Sequence, residues 1–206
     1  MKRKTQISRT LWLLIAGVAY LALLGAVFGT GIDLAADKPM QYALHITVIL
    51  SAFIYLFFTD MIYRTQENKA DARLALVFAA LFTLPVLIGR GIGLLALSDS
   101  AWAAPDSLLN FYGTGVSLSR SIELLSWTVL FPLSMVFLFK VFLKQKKLLA
   151  WLCLISAACC FIAFISFFSS EALLLWIGVA GWGPLFLLIV IVYLIQLLKH
   201  REDASY

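Results

Sequence analysis

The chain has 206 residues, of which 63% are hydrophobic and only 13% are charged. Soluble globular domains are roughly 45–50% apolar and about 25% charged, so this composition excludes a soluble domain and indicates a polytopic membrane protein. The net charge of +5 does not point to nucleic acid, because the basic residues form short clusters between apolar runs and no nucleic-acid-binding motif is present.

Six apolar runs approach the ~20 residues that a helix needs to cross a bilayer. These runs should be helices, because a backbone in lipid must satisfy its own hydrogen bonds. A β-barrel would instead show alternating segments of about ten residues, and none is visible. The sequence therefore predicts an all-α fold in one domain, 1–206, with six transmembrane helices over residues 11–29, 42–62, 74–97, 117–139, 148–168 and 172–198.

The basic residues predict how the chain is oriented. In the six-span arrangement, 13 of the 16 lysines and arginines fall on the side of the membrane that carries both termini. By the positive-inside rule this side is cytoplasmic, in a bacterial-type inner membrane. The first span follows "MKRK" but is longer than the usual 7–15-residue apolar core of a signal peptide, so we expect a retained anchor.

One sizeable outer segment, "SDSAWAAPDSLLNFYGTGV", joins the third and fourth spans. Pro105 stands near a plausible helix start and Gly113 at a plausible stop. We expect a short amphipathic helix on the outer surface here. It would be either a lid over a pocket or an anchored loop.

Four ionisable residues lie within the outer half of the predicted spans: His45, Arg90, Arg120 and Glu123. At 1.5 Å per residue, Arg90 and Glu123 are roughly 10 Å and 9 Å below the outer ends of their helices, and His45 roughly 5 Å below its own. Arg120 precedes Glu123 by three residues, which predicts the same helix face. Charged groups in membranes usually face the bundle interior or a wet cavity, so these four are the candidate ligand-binding residues.

The simplest arrangement pairs Arg90 with Glu123 and leaves Arg120 nearer the surface. The net charge of this trio is positive, so its missing partner would be an anion such as a carboxylate or a phosphate, which arginine grips with two donors. A purely structural interpretation stays open: Arg120 would extend to the headgroups, and Arg90 and Glu123 would tie two helices together.

Small residues in two spans predict close helix contacts. Gly89 and Gly93 flank Arg90 with four-residue spacing, which lets helix backbones approach in lipid. A similar face in the first span is a candidate surface for a membrane-protein partner, and it consists of Ala22, Gly25, Ala26 and Gly29. Prolines inside spans should disturb their helices, and these are Pro85, Pro132 and Pro184.

Motifs of the common enzyme and metal sites are absent from the sequence. There is no Gly-x-Ser-x-Gly elbow, no His-Glu-x-x-His pair and no phosphate-binding Walker loop. With two histidines, His45 and His200, we predict no metal, haem or other cofactor and no catalytic residues. The three cysteines, all in one apolar run, should serve helix packing.

Several stretches resemble a bacterial family of uncharacterised six-helix membrane proteins, known as a domain of unknown function. The similar features are the basic start before "LWLLIAGVAYLALLG", the third-span Arg90, the fourth-span "RSIELLSW" and the fifth-span "LLAWLCLISA". The family often has an acidic residue shortly after the third-span arginine, where this chain has Gly93. The resemblance implies a six-helix fold and no established activity.

The chain also resembles the substrate-binding subunits of energy-coupling-factor vitamin importers in its size, six spans and cytoplasmic termini. In the first span, Ala22-x-x-x-Ala26 is similar to the motif by which those subunits contact a coupling partner. This resemblance implies a ligand site open to the outside.

Three functions are consistent with the sequence. The favoured hypothesis is binding or transport of a small anionic or amphipathic molecule that enters from the outer side. The alternative is a non-catalytic accessory, regulatory or immunity-type membrane subunit. A membrane-embedded enzyme acting on a lipid, with Glu123 and His45 as acid and base, comes third.

Overall fold

The computed structural model describes residues 3–30, 37–66, 69–98, 117–169 and 171–202. Within these ranges the chain is helical and contains no strand. The predicted surface helix between Pro105 and Gly113 lies outside the described residues. The α-helices are α1 (Arg3–Thr30), α2 (Lys38–Thr65), α3 (Lys69–Ser98), α4 (Leu118–Leu125), α5 (Phe131–Phe142), α6 (Lys147–Phe164), α7 (Ala172–Ala180) and α8 (Phe186–Glu202).

Six helical stretches in the described ranges are long and apolar enough to cross a membrane. The fourth consists of α4 and α5 joined by a π-helical turn, Ser126–Leu130, and the sixth of α7 and α8 joined by a π-helical turn, Gly181–Leu185. A short 3₁₀ turn, Ile165–Phe167, follows α6. The predicted all-α fold with six spans is confirmed, and the first three helices extend beyond the predicted apolar runs because the flanking polar residues remain helical.

Two helix starts are fixed by side chains that the sequence supplies locally. The carboxylate of Asp37 accepts a hydrogen bond from the Met40 amide at 3.0 Å, with a proline in the first turn of α2. The hydroxyl of Ser117 accepts one from the Arg120 amide at 3.2 Å and caps α4. Such caps satisfy amides that have no partner within the helix.

Proline explains where the two π turns occur. Pro132 lies in the first turn of α5, directly after one π turn, and Pro184 lies inside the other. A proline ring cannot donate a hydrogen bond and clashes with the carbonyl four residues earlier, so the preceding turn widens. By contrast, α3 runs through Pro85 as a continuous α-helix. The predicted disturbance is therefore present at two of the three prolines.

The spans form a closed ring in which each packs on the next and α8 packs back against α1. An aromatic core fills the centre, where the Tyr55 ring lies 5.6 Å from that of Phe82 and 5.2 Å from that of Phe131. The Tyr55 hydroxyl donates to Ser134 at 2.6 Å, and Ser134 donates to the Ala75 carbonyl at 2.8 Å. This relay connects α2, α5 and α3 through groups that have no access to water.

Candidate functional site

Arg90 lies on α3 with its side chain turned into the bundle and 10% exposed. Its partner is Glu123 on α4, whose side chain is 6% exposed. The Arg90 Nε atom is 2.6 Å from Oε2 of Glu123, and Nη2 donates to Oε1 at 2.7 Å. One hydrogen bond and one close ion-pair contact therefore join the guanidinium to the two carboxylate oxygens, and charge-assisted contacts of this kind are stronger than neutral ones. The predicted pairing of Arg90 with Glu123 is present.

Trp127 adds a third donor to this carboxylate. It lies four residues after Glu123, in the π turn of the fourth span, and its Nε1 donates to Oε1 at 3.1 Å. The indole ring is packed against Phe82 and Phe131, with ring centroids 4.6 Å and 5.6 Å away. The ion pair thus fixes the orientation of an aromatic side chain that reaches toward the centre of the bundle.

Glycine makes the close approach of α3 and α4 possible. A β-carbon at Gly89 would lie 2.9 Å from the Ser119 carbonyl oxygen and 3.7 Å from Cβ of Glu123. Any larger side chain would push α4 away and lengthen the Arg90–Glu123 contact. The predicted packing role of Gly89 is confirmed.

His45 joins the same region from α2 and is fully buried. Its imidazole lies against Gly93, one turn further along α3 than Arg90, where a β-carbon would be 2.8 Å from Nε2. Gly93 therefore provides the space that the ring occupies. The structure brings His45, Arg90 and Glu123 together from three helices, and a role for them in ligand binding remains a prediction.

Arg120 does not share this buried position. The buried face of the fourth span carries Ser119, Glu123 and Ser126, at spacings of four and three residues, while Arg120 is exposed. At about 100° per residue, Ser119 and Ser126 lie on one side of Glu123 around the helix, whereas Arg120 lies about 60° to the other side and so leaves the buried face. The expectation that Arg120 shares the face of Glu123 is wrong, and its position nearer the surface matches the arrangement that leaves it outside the pair.

An aromatic cavity of about 40 Å³ was not foreseen from the sequence. It lies between α1, α2 and the two π-helical turns, beside Trp127, and its wall includes Tyr20, Ser51, Tyr55, Trp182 and Phe186. The two tryptophans of the π turns, Trp127 and Trp182, face each other at 4.9 Å between ring centroids. The sequence signal was a tryptophan shortly before a proline in both spans, "SWTVLFP" and "GWGP".

Trp182 presents a buried donor at this cavity. Its Nε1 atom is shielded from solvent and has no hydrogen-bond acceptor among the described residues. A buried N–H group without an acceptor costs free energy, and such groups are rare in native structures. A molecule in the cavity with an oxygen at this place would supply the missing acceptor.

The described cysteines lie at helix contacts and not in a metal-binding cluster. Within the described ranges no group of three or more His, Cys, Asp and Glu residues has the spacing to hold an ion. Cys153 and Cys160 are buried on α6, and the Cys160 thiol lies 3.9 Å from the Gly178 carbonyl oxygen. These two cysteines occupy helix contacts, as the packing interpretation predicted.

Part of the small-residue face of α1 has open space beside it. A β-carbon at Gly25 or Gly29 would meet no atom within 4 Å, and Ala22 is exposed. The partner surface predicted there stays a prediction.

No family model, no curated protein and no solved structure matches the chain, so the two resemblances seen in the sequence remain expectations.

Proposed function

We propose that this multi-pass membrane protein binds, as a receptor or a carrier, an amphipathic small molecule that enters from the outer side. A short apolar segment of the molecule occupies the aromatic cavity, and an oxygen attached to that segment accepts a hydrogen bond from Nε1 of Trp182. The observation that carries this proposal is the indole N–H of Trp182, a residue of the cavity wall, because this buried donor has no acceptor among the described residues.

The geometry favours an amphipathic ligand over a small anion. The Arg90 guanidinium already contacts both carboxylate oxygens of Glu123, so an anion that took their place would have to displace a buried carboxylate. That exchange is costly because the released charge would be left without a partner in a dry interior. In this proposal Arg90 and Glu123 act on the ligand indirectly, by fixing the ring of Trp127 in the cavity wall.

The size of the cavity limits what it accepts. About 40 Å³ offers room for roughly three water-sized groups. It therefore suits a small ring or the end of a hydrocarbon chain, with the remainder of the molecule in the bilayer. The aromatic and aliphatic lining favours such a group, since apolar pockets with a few polar atoms are typical of small-molecule sites.

A photoreactive probe tests the proposal. Hexadecanol with a diazirine next to its hydroxyl carbon carries the oxygen and the photoreactive group at the same end, and its cross-links to the purified protein are located by peptide mass spectrometry. We expect labelling of the cavity segments around Tyr20 and Phe186. Trp182→Phe keeps the ring but removes the donor, and should weaken the apparent affinity about fivefold, which corresponds to one hydrogen bond of about 1 kcal/mol.

Two variants serve as controls for this experiment. Trp151→Phe alters a tryptophan that is 54% exposed on α6 and should leave the cavity labelling unchanged. Ser51→Phe fills the cavity from α2 and should abolish the labelling. Cross-links confined to exposed surfaces, or equal labelling of the parent protein and Ser51→Phe, would refute the proposal.

A non-catalytic accessory role is the second candidate. The observation in its favour is that the carboxylate of Glu123 is fully engaged, by Arg90 on one side and Trp127 on the other, as expected of a helix tie. In that case the double replacement Arg90→Leu and Glu123→Met should preserve the fold, because apolar residues can match a buried ion pair. Hexadecanol labelling of the cavity should then be absent from the parent protein and from the double variant.

A further inference from the structure

A second groove lies between the first two helices, nearer than the aromatic cavity to the side of the bundle that carries the N-terminus. It has a volume of about 320 Å³ and is lined by Arg9 and Trp12 of α1 and by Ile54 and Phe57 of α2. This volume reaches the lower range of small-molecule sites. The groove is distinct from the aromatic cavity, since the two have no lining residue in common.

The charges at the end of this groove leave one arginine unsatisfied. Asp60 accepts hydrogen bonds from Nε of Arg64 on both carboxylate oxygens, each at 2.9 Å. Arg9 lies further away, with Nη1 at 3.7 Å from Oδ2 of Asp60, which is too long for a hydrogen bond. The Nη1 atom is shielded, yet it has no hydrogen-bond partner in the described part of the chain. The local charge is +1, with the donors of Arg9 available.

Below Arg9, the groove offers an apolar surface. The side chains of Trp12 and Phe57 are 63% and 54% exposed, respectively, on neighbouring antiparallel helices. Arg9 is six residues from the start of α1, or roughly 9 Å along the helix axis, and Asp60 is five residues from the end of α2, or roughly 8 Å. A cation at this depth, next to an exposed indole ring, lies where the boundary between headgroups and acyl chains is expected.

We propose that this groove is a binding site for an anionic phospholipid of the leaflet on the N-terminal side. The phosphate would accept hydrogen bonds from the Arg9 guanidinium, whose planar fork suits two phosphate oxygens. An acyl chain would lie along Trp12 and Phe57. This inference does not depend on the proposed function of the aromatic cavity.

Native mass spectrometry of the purified full-length protein tests the site. The protein in detergent is titrated with phosphatidylglycerol and, separately, with phosphatidylcholine of the same acyl chains. We expect phosphatidylglycerol to be retained preferentially. Arg9→Gln should reduce this preference about fivefold, because one basic residue near anionic lipid contributes about 1 kcal/mol to binding.

A matched control separates the groove from general surface charge. Arg73 is an exposed arginine at the start of α3, on the same side of the bundle but outside the groove, and Arg73→Gln should leave the preference unchanged. Arg9→Lys retains the charge but loses the fork, so it should reduce the preference two- to threefold. This variant also tests the site if Arg9→Gln does not fold.

Three results would overturn the proposal. Equal retention of the two lipids by the parent protein would show that the groove does not recognise an anionic headgroup. Equal losses in Arg9→Gln and Arg73→Gln would assign the preference to diffuse surface charge. Displacement of phosphatidylglycerol by soluble glycerol phosphate at similar concentration would identify a phosphate site in which the acyl chain plays no part.

Discussion

The two ends of the bundle use the same chemistry, arginine against a carboxylate, in opposite surroundings. At one end the side chains of Arg90 and Glu123 are 10% and 6% exposed and meet in two short contacts. At the other, Arg9 and Arg64 share Asp60, with exposures of 39% and 62% for the two arginines. The buried carboxylate is engaged by Arg90 and Trp127, whereas the exposed group retains a cation with no hydrogen bond to its carboxylate. Burial, more than residue type, therefore separates a structural tie from a binding group in this chain.

The largest expected effect comes from opening the buried pair on one side. Glu123→Ala leaves the Arg90 guanidinium buried without a counter-charge, so the free energy of unfolding should fall by about 3–5 kcal/mol. Reversible unfolding in mixed detergent micelles, followed by circular dichroism, measures this change. The double replacement Arg90→Leu and Glu123→Met should restore most of the loss.

The unfolding measurement can also contradict the distinction between the buried and the exposed ion pairs. If Asp60→Ala at the exposed end destabilises the protein as much as Glu123→Ala, burial does not distinguish the two groups. If the double replacement is no more stable than Glu123→Ala, the pair contributes more than a tie between α3 and α4.

A smaller effect is expected from the glycines that let the helices approach the buried pair. Gly93→Ala places a methyl group against the imidazole of His45, so we expect a loss of about 1–3 kcal/mol from overpacking. Gly91→Ala is the matched control, because its β-carbon would meet no atom within 4 Å. The same unfolding titration should show a change within about 0.5 kcal/mol for that control.

A second substitution at His45 tests whether contact with its ring causes the destabilisation by Gly93→Ala. In the double variant Gly93→Ala with His45→Ala, the methyl group has room, so the two losses should not add. Additive losses would mean that Gly93 acts through the helix backbone and not through contact with the ring.

The sequence predicted the membrane-spanning helices well because long apolar runs are set by composition alone. The pairing of Arg90 with Glu123 also followed from the chain, since both residues had similar depths in neighbouring spans and few other charges were available. The prediction that Arg120 shares the helix face of Glu123 was wrong, because the buried face of α4 follows Ser119 and Glu123 and Arg120 lies to one side of it.

The aromatic cavity and the lipid groove were beyond prediction for a different reason. Each depends on contacts between helices that are distant in the chain, such as Trp127 with Trp182 or Arg9 with Asp60. The prolines indicated that the fourth and sixth spans would be disturbed, yet not that the two π turns would face each other. Periodicity reports the buried side of a helix and says little about which helix it meets.

The smallest expected effect on stability comes from the exposed group. Asp60→Asn removes the shared carboxylate between Arg9 and Arg64, and exposed ion pairs contribute about 0.2–1 kcal/mol. The unfolding titration should therefore show a loss of unfolding free energy within that range. The loss should be smaller at high salt, because salt screens the ion pair in the parent protein. Arg9 in the groove and Arg64 beside it would then lack a counter-charge, so retention of phosphatidylglycerol should rise while stability falls slightly. A fall in both would mean that Asp60 positions Arg9 for the lipid instead of competing with it for the guanidinium.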